Sequence, residues 1–123
     1  MTVNVLKDLA SNLDDIIGLG VVGKDGMSIA SHFVSEEING ERVAAAISQL
    51  INQATKSVAL IGAGDIQETI TSTDKYLMIA RPIGSGKYFI QLILHTTANL
   101  GVARLYLEEF SEPLLKSLPS IAH

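Results

Sequence analysis

Gly18-Leu19-Gly20-Val21-Val22-Gly23 spells the G-x-G-x-x-G string with which dinucleotide-binding folds hold a pyrophosphate. That chemistry needs a strand before the string and a helix after it, so that the phosphates rest on the helix amino end. Here the order is inverted. An apolar stripe at helical spacing precedes the string (Leu6, Leu9, Leu13 and Ile16 or Ile17) and a strand-like run follows it. The glycines are expected to ease the chain from helix into strand. Gly84-Ser85-Gly86-Lys87 has the ending of a phosphate-binding loop, but Arg81 stands where the earlier glycine is required and Tyr88 opens a strand. No helix dipole would face a phosphate there, and a hairpin turn is expected.

Other chemistry fares no better. His32, His95 and His123 are far apart and show neither H-x-H nor H-E-x-x-H spacing, so no metal site is expected. His95 lies beside Thr96 and Thr97, yet no carboxylate or nucleophile is placed to make it a general base. Asp14-Asp15, Glu36-Glu37 and Glu108-Glu109 are acidic neighbours whose side chains diverge, which suits solvated surface rather than a catalytic dyad. The sequence therefore predicts no catalytic residue, no cofactor and no metal.

The 123 residues are 47% hydrophobic and 18% charged, enough for one core, so one domain over residues 1–123 is expected, its core at about 6–112. The absence of cysteine excludes disulfides and thiolate metal sites and is compatible with a cytoplasmic location. A net charge of −4 without a basic cluster argues against nucleic acid and anionic lipid. Met1 to Leu13 lacks the unbroken apolar core of a secretory signal, and no window approaches the roughly 20 apolar residues of a membrane span.

The elements follow from periodicity. After the first helix, Val21 and Val22 lead to Asp25-Gly26, expected to form a two-residue hairpin turn, and Met27 to Phe33 returns as a strand. Ile38 to Ile61 reads as a long helix burying Val43, Ile47, Leu50, Ile51, Ala54, Val58 and Ile61, closed by Gly62 and Gly64. Three strands follow: Ile66 to Ser72, Tyr76 to Ile83 and Tyr88 to His95. The last is nearly continuously apolar and is expected at the middle of the sheet. Asn99 caps a final helix buried through Leu100, Ala103, Leu107 and Phe110, with Pro113 and Pro119 marking its exit. The order αββαβββα with short connections predicts an α/β (α+β) fold, one five-stranded antiparallel sheet with helices on both faces.

Two features stand apart. Opposite the buried stripe of the long helix lie Ala45, Gln49, Asn52, Lys56 and Ala59, flanked by Ser48, Gln53, Thr55 and Leu60, of which Lys56 alone is charged. Such a face lets another helix approach without desolvating charge, and fits a contact surface as well as it fits a lightly charged solvent face. The second is the strand holding Gln67, Glu68, Thr69, Ile70 and Thr71, expected at a sheet edge without lysine or proline. It could pair with a copy of itself, or be protected by its shortness and by Glu68.

Against this background the chain resembles the roadblock family of dynein light-chain-type and bacterial GTPase-regulator domains. The likeness runs from about Leu6 to Glu112 and rests on Lys24-Asp25-Gly26-Met27-Ser28-Ile29-Ala30, Glu41-Arg42-Val43-Ala44-Ala45, Arg81-Pro82-Ile83-Gly84 and Asn99-Leu100-Gly101-Val102-Ala103-Arg104. The resemblance implies a roadblock/profilin-like sandwich and homodimers in which the third strands join two sheets, with the long helices exposed as a platform. It also implies a small Ras-like GTPase as partner, with hydrolysis promoted by reshaping the GTPase's own loops and without an arginine finger. Alternatives on the same architecture are a small-molecule sensory module and a purely structural scaffold.

Overall fold

The computed structural model describes residues 1–34 and 38–118. Helix α1 (Thr2–Ser11) is followed by β1 (Ile16–Gly23), β2 (Ser28–Phe33), α2 (Gly40–Leu60), β3 (Thr69–Ser72), β4 (Tyr76–Ile83), a 3-10 turn at Gly84–Gly86, β5 (Tyr88–His95) and α3 (Leu100–Ser117). The strands form one antiparallel sheet in the order β2-β1-β5-β4-β3. The order αββαβββα and the central place of the apolar strand β5 are as the sequence predicts. Glu36-Glu37, Pro119 and His123, singled out in the sequence, lie outside the described residues.

The two faces of the sheet are unequal. On one, α1 and α3 pack over Leu19, Val21, Ile79, Ile83, Tyr88, Ile90, Leu92 and Leu94, joined by Leu6, Leu9, Ala103, Leu107 and Leu114. On the other, α2 seats on a smaller cluster of Ile47, Ile51, Ala80 and Phe89, with Val43 beside it. The reason is in the strands. The residues that alternate towards α2 include Gly18 and Gly20 on β1, Ser31 on β2 and Gln91 on β5, which offer little apolar area to bury. Phe33 fills part of that gap by lying across Gly18, where an added Cβ would come within 2.1 Å of the ring.

Four expectations are corrected. Ile16 and Ile17 belong to β1, because α1 stops at Ser11 with Asn12 and Leu13 turning the chain. The first hairpin has a three-residue loop, not a two-residue one: the Gly23 N–H donates to the Met27 carbonyl at 2.8 Å, and Gly26 takes the left-handed φ of 89° that closes the loop. The buried stripe of α2 is displaced by part of a turn, so that Leu50 is 42% and Ile61 79% exposed while Ala44 and Ser48 are buried. Pro113 sits inside α3 rather than ending it. An interior proline costs about 3 kcal/mol, and full burial of Leu114 returns about 2 kcal/mol of that. The Ser117 hydroxyl donates to Thr2 Oγ1 at 3.1 Å while the Thr2 hydroxyl donates to the Ser117 carbonyl at 2.8 Å, tying the last turn to the start of α1.

Both long helices begin as their sequences dictate. The Asn39 side chain accepts from the Glu41 and Arg42 N–H groups at 2.9 and 3.1 Å, and Asn99 accepts from Val102 N–H at 3.1 Å. Gly62, with φ of 65°, closes α2.

Candidate partner interface

The long helix presents the surface from which an interface would be built. Ala45, Gln49, Asn52, Gln53, Lys56 and Ala59 are all exposed along α2. Between Val43 and Leu60 the only charged residue is Lys56. Their amide groups are partly occupied within the helix: Asn52 Nδ2 donates to Ser48 Oγ and Gln53 Nε2 to Ser57 Oγ, each at 3.5 Å. Ser48 does not share this face. It is 5% exposed and packs near Gly26 at the tip of the first hairpin. The helical spacing that placed it outward erred because α2 is rolled about its axis, towards the small residues of β1 and β2. At the carboxyl end of α2, Leu60 and Ile61 stand 87% and 79% exposed.

The second surface is the sheet edge. Thr69, Ile70 and Thr71 lie in β3, and Ile70 is 40% exposed on the face shared with α3. Gln67 and Glu68, expected within this strand, precede it. The register that sets Thr69 against Ala80 would bring Gln67 opposite Pro82, which has no N–H to donate, so the ladder stops. Glu68 falls opposite Arg81 in the same register, and its carboxylate turns back into its own chain. Arg104 Nε donates to its two oxygens at 3.1 and 3.0 Å, Arg104 Nη2 lies 3.0 Å from Oε2, and Arg81 Nη2 lies 3.6 Å from Oε1. Hydrogen bonding to Glu68 and its negative charge push the half-exposed Arg104 guanidinium above its ordinary pKa. The carboxylate that could have guarded the edge is thus neutralised inside the fold. What remains of β3 is Thr69–Ser72, with no charge and no proline.

Where the ladder ends, an open groove of about 990 Å³ runs between α2, the segment at residues 65–68 and the 3-10 turn, lined by Asn52, Thr55, Glu68, Arg81, Pro82 and Ser85 among others. The Gly84-Ser85-Gly86 turn forms one wall and leads into β5, not into a helix. His32 is partly buried on β2 and His95 is exposed at the end of β5. Arg81 and Arg104 are the residues that reading the sequence missed. A lone arginine in an otherwise uncharged strand, with one carboxylate in the strand before it, was the available signal.

The model of the Roadblock/LC7 domain family matches residues 2–90. This chain belongs to that family. No curated protein matches it by sequence. Among solved structures, the roadblock fold described here is similar to a Roadblock/LC7 domain from Streptomyces avermitilis, at a TM-score of 0.84 and 16% identity over 93% of this chain and 94% of that one. It is similar to MglB of Myxococcus xanthus, at 0.83 and 20% identity over 94% and 92%. Acanthamoeba castellanii profilin II shares the sandwich more loosely, at 0.57 and 16% identity over 88% and 94%. Among the described residues of this roadblock chain, no helix is long and apolar enough to cross a membrane.

Proposed function

We propose that residues 1–123 act as one roadblock unit, a non-catalytic homodimeric adaptor that binds a small Ras-like GTPase in the cytoplasm and promotes its GTP hydrolysis. The observation that carries this reading is the outer face of α2, where Ala45, Gln49, Asn52, Gln53, Lys56 and Ala59 are exposed and one charge serves the whole surface. Membership of the roadblock family and the resemblance to bacterial GTPase regulators supply the class of partner.

In this reading nucleotide and magnesium belong to the GTPase. The platform works by differential binding: it favours the arrangement of GTPase loops from which hydrolysis proceeds, and so raises that arrangement's population. The unguarded edge of β3 supports self-association, which would set two copies of α2 on one continuous sheet.

The test is sedimentation of the purified protein with a Ras-like GTPase encoded beside it, together with single-turnover GTP hydrolysis. A complex and faster hydrolysis are expected, with no nucleotide bound by this protein alone. Association without acceleration would reduce the role to scaffolding, and failure to bind such GTPases at tens of micromolar would overturn the reading.

A further inference from the structure

Phe33 belongs to neither apolar cluster, yet two glycines from different elements make room for its ring. Phe33 and Gly18 face each other across β1 and β2. The Val34 N–H donates to the Ile17 carbonyl at 2.9 Å, which makes the neighbouring Gly18–Phe33 couple a non-hydrogen-bonded pair, with Cα atoms about 4.5 Å apart. A Cβ added at Gly18 would come within 2.1 and 2.3 Å of Phe33 Cδ2 and Cε2. A Cβ added at Gly40, the first residue of α2, would come within 3.2 Å of Cε1 on the opposite edge of the ring. Neither glycine has a positive φ, so what each supplies is space rather than a turn. The ring is wedged between the sheet and the start of the helix.

That wedge matters because α2 is seated over a short stretch. Its buried residues are Ala44, Ile47, Ser48 and Ile51, and the helix then runs on to Leu60. Gly40 lies seven residues before Ile47 and Lys56 nine after it, about 10 and 14 Å along the axis. With Ile47 as fulcrum, an amino end that settled about 2 Å into the space of a lost ring would lift Lys56 by about 3 Å. Asn52 and Gln53 would rise with it, while Ala45 beside the fulcrum would stay in place. An added gap of about 1 Å already forfeits up to half of a contact's attraction, so a tilt of this size spoils a surface complementary to the whole face.

We propose that Phe33 is a positioning residue for the α2 platform: its ring, held between Gly18 of β1 and Gly40 of α2, sets the tilt of the helix and so the geometry that a GTPase meets. The proposal rests on the GTPase-binding reading for its consequence, and on packing alone for the tilt.

Two measurements test it separately. Because the protein has no cysteine, the exposed Lys56 and His95 can be replaced by cysteine and spin-labelled, and the labelled chain diluted into excess unlabelled chain so that one protomer's distance is read. Phe33→Leu and Phe33→Ala should shift that distance by about 2–3 Å or broaden its distribution. In unlabelled protein, Phe33→Leu should weaken association with a neighbouring-gene Ras-like GTPase about threefold and Phe33→Ala about tenfold. Ile90→Val and Leu107→Ala, whose losses of stability on the opposite face bracket those of the Phe33 variants, should leave both distance and affinity as in the native chain. An unchanged distance in both Phe33 variants, native affinity in both, or an equal loss of affinity in the Ile90 and Leu107 variants overturns the positioning role. A native chain that binds no such GTPase overturns the function proposed above, and the distance measurement then decides by itself whether Phe33 sets the tilt.

Discussion

Glu68 and Arg104 stand 36 positions apart in the sequence, yet Arg104 Nε donates to both Glu68 oxygens and a second guanidinium nitrogen lies 3.0 Å from Oε2. This contact joins the segment that leads into β3 to α3, and Arg81 on β4 completes it from the strand between them. It should govern how the edge is presented more than how stable the molecule is, because Arg104 is half-exposed and such pairs contribute little in water. Glu68→Gln is therefore expected to lower the melting temperature by no more than a few degrees, with a smaller difference in high salt. The guanidinium's raised pKa contributes at every pH below its unfolded value and is lost only as pH rises through the folded one, in strong alkali. Melting curves between pH 6 and 9 should accordingly show no inflection from Arg104.

Ala45→Glu and Asn52→Glu test the platform. Both positions are exposed, so the free protein should unfold within about 0.5 kcal/mol of the native one. An unpaired carboxylate pressed into a neutral contact should weaken GTPase association by tenfold or more. Unchanged pull-down and sedimentation with both variants would remove this face from the interface.

Gln91 is 1% exposed and its Oε1 has no hydrogen-bond partner among the described residues. A buried acceptor left unpaired costs about 1–3 kcal/mol, so Gln91→Leu should stabilise the chain by about 1 kcal/mol once the altered packing is allowed for. Urea denaturation would show the midpoint rising with unchanged slope. A drop in stability would mean that the amide is satisfied in solution.

Gly18→Ala should do the opposite. The new methyl would sit 2.1 Å from the Phe33 ring, and relief requires the ring to leave its place against the glycine. A loss of about 1–3 kcal/mol is expected, with hydrogen exchange fastest in β2 and the first turns of α2. Equal protection throughout the chain would contradict this coupling.

Most of the fold was legible because it is written in local periods. The alternation of strands, the 3.6-residue stripe of α2 and the caps at Asn99 and Gly62 are decided by residues that touch their own neighbours. The candidate site was legible in part. Six of the seven residues chosen on α2 face outward, while Ser48 is buried because the roll of a helix depends on what the sheet beneath it offers.

From its sequence alone this chain fixes the number, kind and order of its elements, the nearly neutral character of α2 and the membership that follows from them. Where β3 begins, which way Glu68 points and whether Pro113 ends a helix were decided by tertiary structure. Each turns on a partner far along the chain: Pro82 withholding an N–H from Gln67, Arg81 and Arg104 meeting a carboxylate, and the core receiving Leu114. Such contacts exist only once the sheet has brought distant segments together, and no local pattern of residues encodes them.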